Sequence, residues 1–159
     1  MAAGVTLRKE KLAEFRAYME SALAHDVARS RHVNEIFVDG AVSARGVTPK
    51  LVATLNRAGP FGSGNPEPVI ALPSHQLVYA DEVGQAHLRV RFKSGDGAIV
   101  NGIAFRSIGQ KLGNALAAHR GQVLHAAGSL AVDRWQGAER VQLRLLDVAV
   151  PDQGPLVIR

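Results

Sequence analysis

The sequence predicts an α+β fold: a helical segment with one short strand, followed by a small five-stranded β-barrel. Three observations carry that expectation. Residues 57–68, Arg-Ala-Gly-Pro-Phe-Gly-Ser-Gly-Asn-Pro-Glu-Pro, divide the chain, because neither a helix nor a central strand runs through glycines and prolines so closely spaced. Before this stretch apolar residues recur every three or four positions, and after it they alternate. A single helical run, about residues 107–119, interrupts the alternating part.

Thr6 is the expected N-cap of a helix reaching about residue 29, with Leu12, Phe15, Met19, Leu23 and Val27 on one face and Lys9, Lys11, Arg16, Glu20 and Asp26 opposite. Such an amphipathic helix needs a partner surface: residues 36–42 and the second helix, or, if it stays exposed, another copy of the chain. Residues 36–42 read as a short strand ending in a turn. Thr48-Pro49 then gives an N-cap followed by proline at the first helical position, and Leu51, Val52 and Leu55 form the buried stripe of this second helix. Gly59 ends it.

Residues 59–68 are expected to form a corner of fixed shape, anchored on a core by Phe61. A phosphate-cradling loop is the competing reading. It is disfavoured because neither a helix start nor a lysine follows; Pro66, Pro68 and an apolar run do. The expected organisation is therefore a helical segment over 1–58, the corner over 59–68, a barrel over 69–151 and a tail over 152–159.

Strands are expected at about 76–83, 86–93, 98–105, 122–132 and 139–150, with a helix at 107–119 between the third and fourth. Three strands, a helix and two strands is the order of an OB-fold, a five-stranded Greek-key barrel. Ser94-Gly95-Asp96-Gly97 closes one hairpin, and Gln136-Gly137 lies at the tip of another.

The composition, 47% hydrophobic and 21% charged, is that of a globular chain. No run approaches the roughly 18 apolar residues of a membrane span, and the N-terminus lacks a signal-peptide core, so the expectation is a soluble, cytoplasmic protein with no membrane partner. Cysteine is absent, which excludes disulfides and thiolate metal sites. None of the six histidines pairs with another at the i, i+4 spacing of a helical zinc site, which favours structural or surface roles.

A net charge of +5 favours a polyanionic partner. The charge is concentrated: between residues 84 and 144 nine Lys or Arg face three acids (Asp96, Asp133 and Glu139), a balance of nine minus three, +6. In the second strand His87, Arg89, Arg91 and Lys93 alternate with Leu88, Val90 and Phe92; in the last, Arg140, Gln142 and Arg144 alternate with Val141, Leu143 and Leu145. A period of two places each basic set on one face, and neither row has acids interleaved. A solvated surface is the bland reading of such rows and a nucleic-acid groove the sharper one. The candidate DNA-binding residues are Arg89, Arg91, Lys93, Arg106, Lys111, Trp135, Arg140 and Arg144. Phe92 and Phe105 are expected to look inward, leaving Tyr79 and Trp135 as candidate stacking platforms. Trp135 could equally cover an open end of the barrel or meet a neighbouring domain.

The corner also carries a resemblance. Residues 59–68 are similar to the Gly-Pro-Phe-Gly-x-Gly-Asn-Pro-Glu-Pro segment that leads into the OB-fold of RecJ-type single-strand DNA exonucleases, nucleases of the DHH family. Met1-Ala2-Ala3-Gly4 followed by Val5-Thr6-Leu7 resembles the end of that family's Gly-Gly-His-x-Met-Ala-Ala-Gly motif, without its Gly-Gly-His. The resemblance covers essentially the whole chain and corresponds to the C-terminal portion of such a nuclease. It implies that the intact enzyme degrades single-stranded DNA 5′ to 3′ in repair and recombination. Mn²⁺ or Mg²⁺ would be held by aspartates and histidines of an N-terminal domain, including its Asp-His-His motif. No Asp-His-His occurs here, and Asp81, Glu82, Asp133, Asp147 and Asp152 are scattered, so no catalytic, metal or cofactor residue is assigned and the isolated chain is expected to be inactive. The implied partners are single-stranded DNA, and the catalytic and associated domains or a second copy through the N-terminal helix. The alternative is a docking module that closes the nuclease clamp or binds another protein.

Overall fold

The computed structural model describes residues 4–31, 36–135 and 138–151; the side chains of 28–31, 134, 135 and 138 lie outside that description. The chain forms two compact units, residues 1–35 and 36–159.

The first unit is a 3₁₀ turn, Lys9–Lys11, running into α1, Leu12–Arg31. The expected cap at Thr6 is not used. Arg8 takes the N-cap position with no side-chain cap, and its carbonyl accepts from the Lys11 N–H at 2.9 Å, so backbone replaces side chain. The apolar stripe is less segregated than expected, because alanines occur on the other faces too. Among the described residues of this unit the helix has no second element to pack on, and Leu12, Met19, Leu23 and Val27 are exposed.

The second unit is the barrel with the segment that leads into it. Its strands are β1 (Gly40–Ala41), β2 (Ile70–Val83), β3 (His87–Lys93), β4 (Ile99–Ala104), β5 (Val123–Trp135) and β6 (Ala138–Ala149). They are ordered β1-β2-β3-β4-β6-β5, and a β2–β5 pairing closes the ring of five long strands. This is an OB-fold.

β2 begins six residues earlier than expected, at Ile70 and not Gln76. It carries a proline in its interior, at a register shift where no ladder donor is required. Ser74, next to Pro73, has φ 54°, and its N–H donates to Nδ1 of His125 at 3.0 Å. The bend lets one strand pair β5 through residues 70–76 and β3 through residues 76–83. The hairpin at Ser94 forms as expected: Gly97 at φ 85° allows its N–H to reach the Ser94 carbonyl at 3.0 Å. The helix between β4 and β5 is shorter than expected, α3 spanning Lys111–Ala118, because Gly109 takes a left-handed φ of 73° that a right-handed helix cannot contain; ahead of it Ser107 donates to the Ala104 carbonyl at 3.0 Å.

The short strand expected at 36–42 shrinks to β1, since only Gly40 and Ala41 find ladder partners, Ile70 and Ala71 of β2 in parallel. The chain then runs on as a strap over the barrel. Ala44 is buried in the barrel core, and its N–H donates to Nε2 of the buried His75 at 3.0 Å; Nδ1 of the same ring donates to the Pro73 carbonyl at 2.8 Å. His75 is thus a satisfied core histidine. Arg45 pairs with Asp96 of the β3–β4 turn at 2.8 Å. The Ser94 hydroxyl, then Arg45 and the Ala98 N–H, hold that carboxyl well below the usual carboxylate range.

The next helix, α2 (Pro49–Asn56), starts as its sequence dictates, Thr48 Oγ1 accepting from the Leu51 N–H at 3.2 Å. In the corner the Asn65 side-chain amide donates to the carbonyls of Ala58 and Pro60 at 3.0 and 3.1 Å, and Gly62 bridges Asn65. The corner delivers the chain into β2, not into a helix. Phe61 is half-buried and lines a groove with Val52, Leu55, Leu130 and Val132. Among the described residues no helix is long and apolar enough to cross a membrane.

Candidate nucleic-acid interface

Alternation along β3 is as the sequence requires: Leu88, Val90 and Phe92 are buried in the barrel, while Arg89, Arg91 and Lys93 are exposed outside. On β6, Leu143 and Leu145 point in and Arg140 and Arg144 are exposed. The two rows share one surface because β4 pairs with both strands, antiparallel with β3 and parallel with β6. Register aligns them residue by residue. Arg89 lies across from Ile103, which lies across from Arg144; Arg91 lies across from Asn101, which lies across from Gln142; Lys93 lies across from Ile99. With neighbouring strands about 4.8 Å apart, the rows flank an uncharged middle strand at about 10 Å separation.

The electrostatics of this face are uneven. Among the described residues Arg89, Lys93 and Arg140 make no ion pair. Arg91 donates through Nε to Asn101 at 3.1 Å and lies over the Tyr79 ring at 5.6 Å from its centroid, so its plane is oriented while its charge stays in solvent. Arg144 lies 3.6 Å from Glu67 of the corner, an exposed pair that costs little to separate. Acids absent from the rows themselves therefore enter from the margins. Asp81 lies across from Arg89 but pairs with Arg120 at 3.1 Å, and Asp133 lies across from Arg140.

The other candidates fall around this centre. Arg106 is exposed just past β4 with φ 51°, and its N–H donates to Nδ1 of His87 at 2.9 Å, beside the start of β3. Lys111 is exposed at the first position of α3, off the strands of the face. Trp135 ends β5, but its side chain and the Gln136-Gly137 tip lie outside the described residues.

Phe105 corrects the expectation that it looks inward: it is 53% exposed. The reason is phase. Val100, Gly102 and Ala104 occupy the inward positions of β4 and Ile99, Asn101 and Ile103 the outward ones, and Phe105, the first residue past the strand, continues the outward phase. Strict counting from Val100 finds it. Tyr79, a candidate platform by sequence, is already occupied: Arg91 and Arg120, the latter at 5.9 Å from the ring centroid, both lie over it.

Residues 38–147 match the RecJ OB domain family. The chain belongs to the RecJ family. The match begins at the buried Val38, so it takes in the strap and the corner as well as the barrel. The single-stranded-DNA-specific exonuclease RecJ of Escherichia coli K12 is 32% identical over 107 residues, 66% of this chain and 18% of that protein. The RecJ of Bacillus subtilis is 21% identical over 154 residues, 96% of this chain and 19% of that one. The crystal structure of RecJ from Thermus thermophilus in complex with Mn²⁺ covers 98% of this chain with a TM-score of 0.63 at 22% identity, using 21% of its own length. The chain thus spans less than a fifth of the length of these curated RecJ relatives.

RecJ from Thermus thermophilus has been solved in complex with Mg²⁺ and with Mn²⁺. In this RecJ chain no group of three or more His, Cys, Asp or Glu side chains among the described residues could hold a metal ion. The donor set does not fit one, and no metal chemistry is assigned to it.

Proposed function

We propose that this RecJ OB domain binds single-stranded DNA on the outer face of β3, β4 and β6, through its phosphates and with little sequence preference. One observation carries the reading: two cationic rows from strands distant in sequence are set on either side of an uncharged strand, with Arg89, Lys93 and Arg140 free of ion pairs among the described residues. A single strand laid on such a face releases condensed counterions from each phosphate it brings to a cation, while its bases can lie on the uncharged centre. Within a whole exonuclease of this family the barrel would hold and guide the strand. Hydrolysis would belong to a metal centre of the catalytic domain.

The test is fluorescence anisotropy with an unstructured labelled oligonucleotide at several salt concentrations. Each phosphate neutralised adds roughly 0.7 to the slope of log affinity against log salt, so Arg89→Ala with Arg91→Ala is expected to flatten the slope by about one to one and a half units. A full slope in the double variant, or no binding by the parent chain at low salt, would show that the rows are only a solvated surface.

A further inference from the structure

The cationic rows account for phosphates but leave open what meets the bases. Tyr79 is already covered by two guanidinium groups. Phe105 presents more than half of its surface to solvent on the same outward phase as Asn101 and Ile103. A lone exposed phenylalanine is unremarkable in itself; here its surroundings hold it in position. His87, at the start of β3, meets the Phe105 ring edge-on, with centroids 5.2 Å apart and planes at 74°. The His87 ring is itself fixed, since its Nδ1 accepts from the Arg106 N–H at 2.9 Å. That bond secures a left-handed φ of 51° at Arg106, a conformation residues other than glycine rarely adopt, which turns the chain immediately after Phe105. Cations lie close by on both sides: Arg106 follows in the chain, and Arg89 is two residues from His87 on the same face of β3.

We propose that Phe105, buttressed by His87, is the base-stacking platform of the DNA-binding face. An exposed aromatic ring held by a second ring and bordered by arginines suits a ligand with flat apolar faces and an anionic backbone, which describes a nucleobase on a single strand. This inference rests on the DNA-binding reading above and adds to it the contact that distinguishes bases from backbone.

The experiment compares two labelled probes of equal length, oligo(dT) and an abasic deoxyribose-phosphate strand, with the full chain. The parent chain is expected to prefer oligo(dT). Phe105→Ala should weaken oligo(dT) binding about ten- to a hundredfold, leave the abasic strand nearly unaffected and keep the salt slope. Phe105→Trp should retain the preference, and Phe105→Leu, apolar but not aromatic, should lose it. If the parent chain binds both probes equally, or Phe105→Ala keeps the full preference, the platform is overturned while the cationic face stands. If neither probe binds at low salt, both readings fall.

Discussion

Replacing Phe92 by alanine should remove about 3–5 kcal/mol of folding stability, a large part of the roughly 5–15 kcal/mol that holds a domain together. The ring is fully buried, at 0% exposure, at the next-to-last position of β3, where Leu77 of β2 and Val100 of β4 are its ladder partners. It is the largest wholly buried side chain among the described residues. A cavity there has walls fixed by two flanking strands, so it cannot collapse cheaply. Denaturant titration should show the midpoint falling with the slope of the transition unchanged. A midpoint equal to that of the parent chain would mean that the ring is not part of the core.

Gly128→Ala should be the most damaging small substitution for the face itself. A Cβ at Gly128 would stand 2.2 Å from the carbonyl oxygen of Arg144 and 2.9 Å from its carbonyl carbon, and neither backbone atom can yield unless β6 moves. Overpacking of this kind costs about 1–3 kcal/mol and occasionally more. β6 is already irregular at this point: Ala127 pairs with Asp147 and Gly128 with Leu145, leaving Leu146 as an extra, exposed residue. Since β6 carries Arg140 and Arg144, its displacement should weaken single-strand binding as well as stability. Leu72→Ala is the control: Leu72 is wholly buried and pairs with Ala126 of β5, away from the strands of the face, and its truncation should cost about 2–5 kcal/mol. Measured at a temperature where both variants stay folded, the Gly128 variant should bind more weakly than the Leu72 variant. Equal affinities would separate β6 placement from binding.

Much of this fold was legible because the signals are local. The Thr48-Pro49 start of α2 needs only a side-chain oxygen and a fixed φ, and it forms as read. The alternation of β3 needs only the pleat, and it separates Phe92 from Arg91 without reference to any other strand. Misreadings arose where a distant partner overrides a local rule. Pro73 looks like the end of an apolar run, yet β2 continues through it, since the bend lets the strand serve two neighbours. Residues 36–42 look like a strand of their own, but only Gly40 and Ala41 find ladder partners, on β2, and the chain then runs on as a strap whose Ala44 N–H goes to His75. Phe105 looks like core by hydrophobicity, while the phase of β4 places it in solvent.

By itself the sequence determined the number and order of the long strands, the inward and outward sets on β3 and β6, and a motif pointing to the RecJ family. Each structural feature among these follows from steric limits on φ and ψ or from a period of two, which neighbouring residues alone enforce. Only the tertiary structure decided that the two basic rows share a face. That depends on β6 adding in parallel to β4, so that Gln142 comes opposite Asn101 and Arg144 opposite Ile103, some forty residues away along the chain. Such a pairing is chosen by closure of the whole barrel around Phe92, Leu143 and their neighbours, and no single stretch of sequence records which strand will lie beside it.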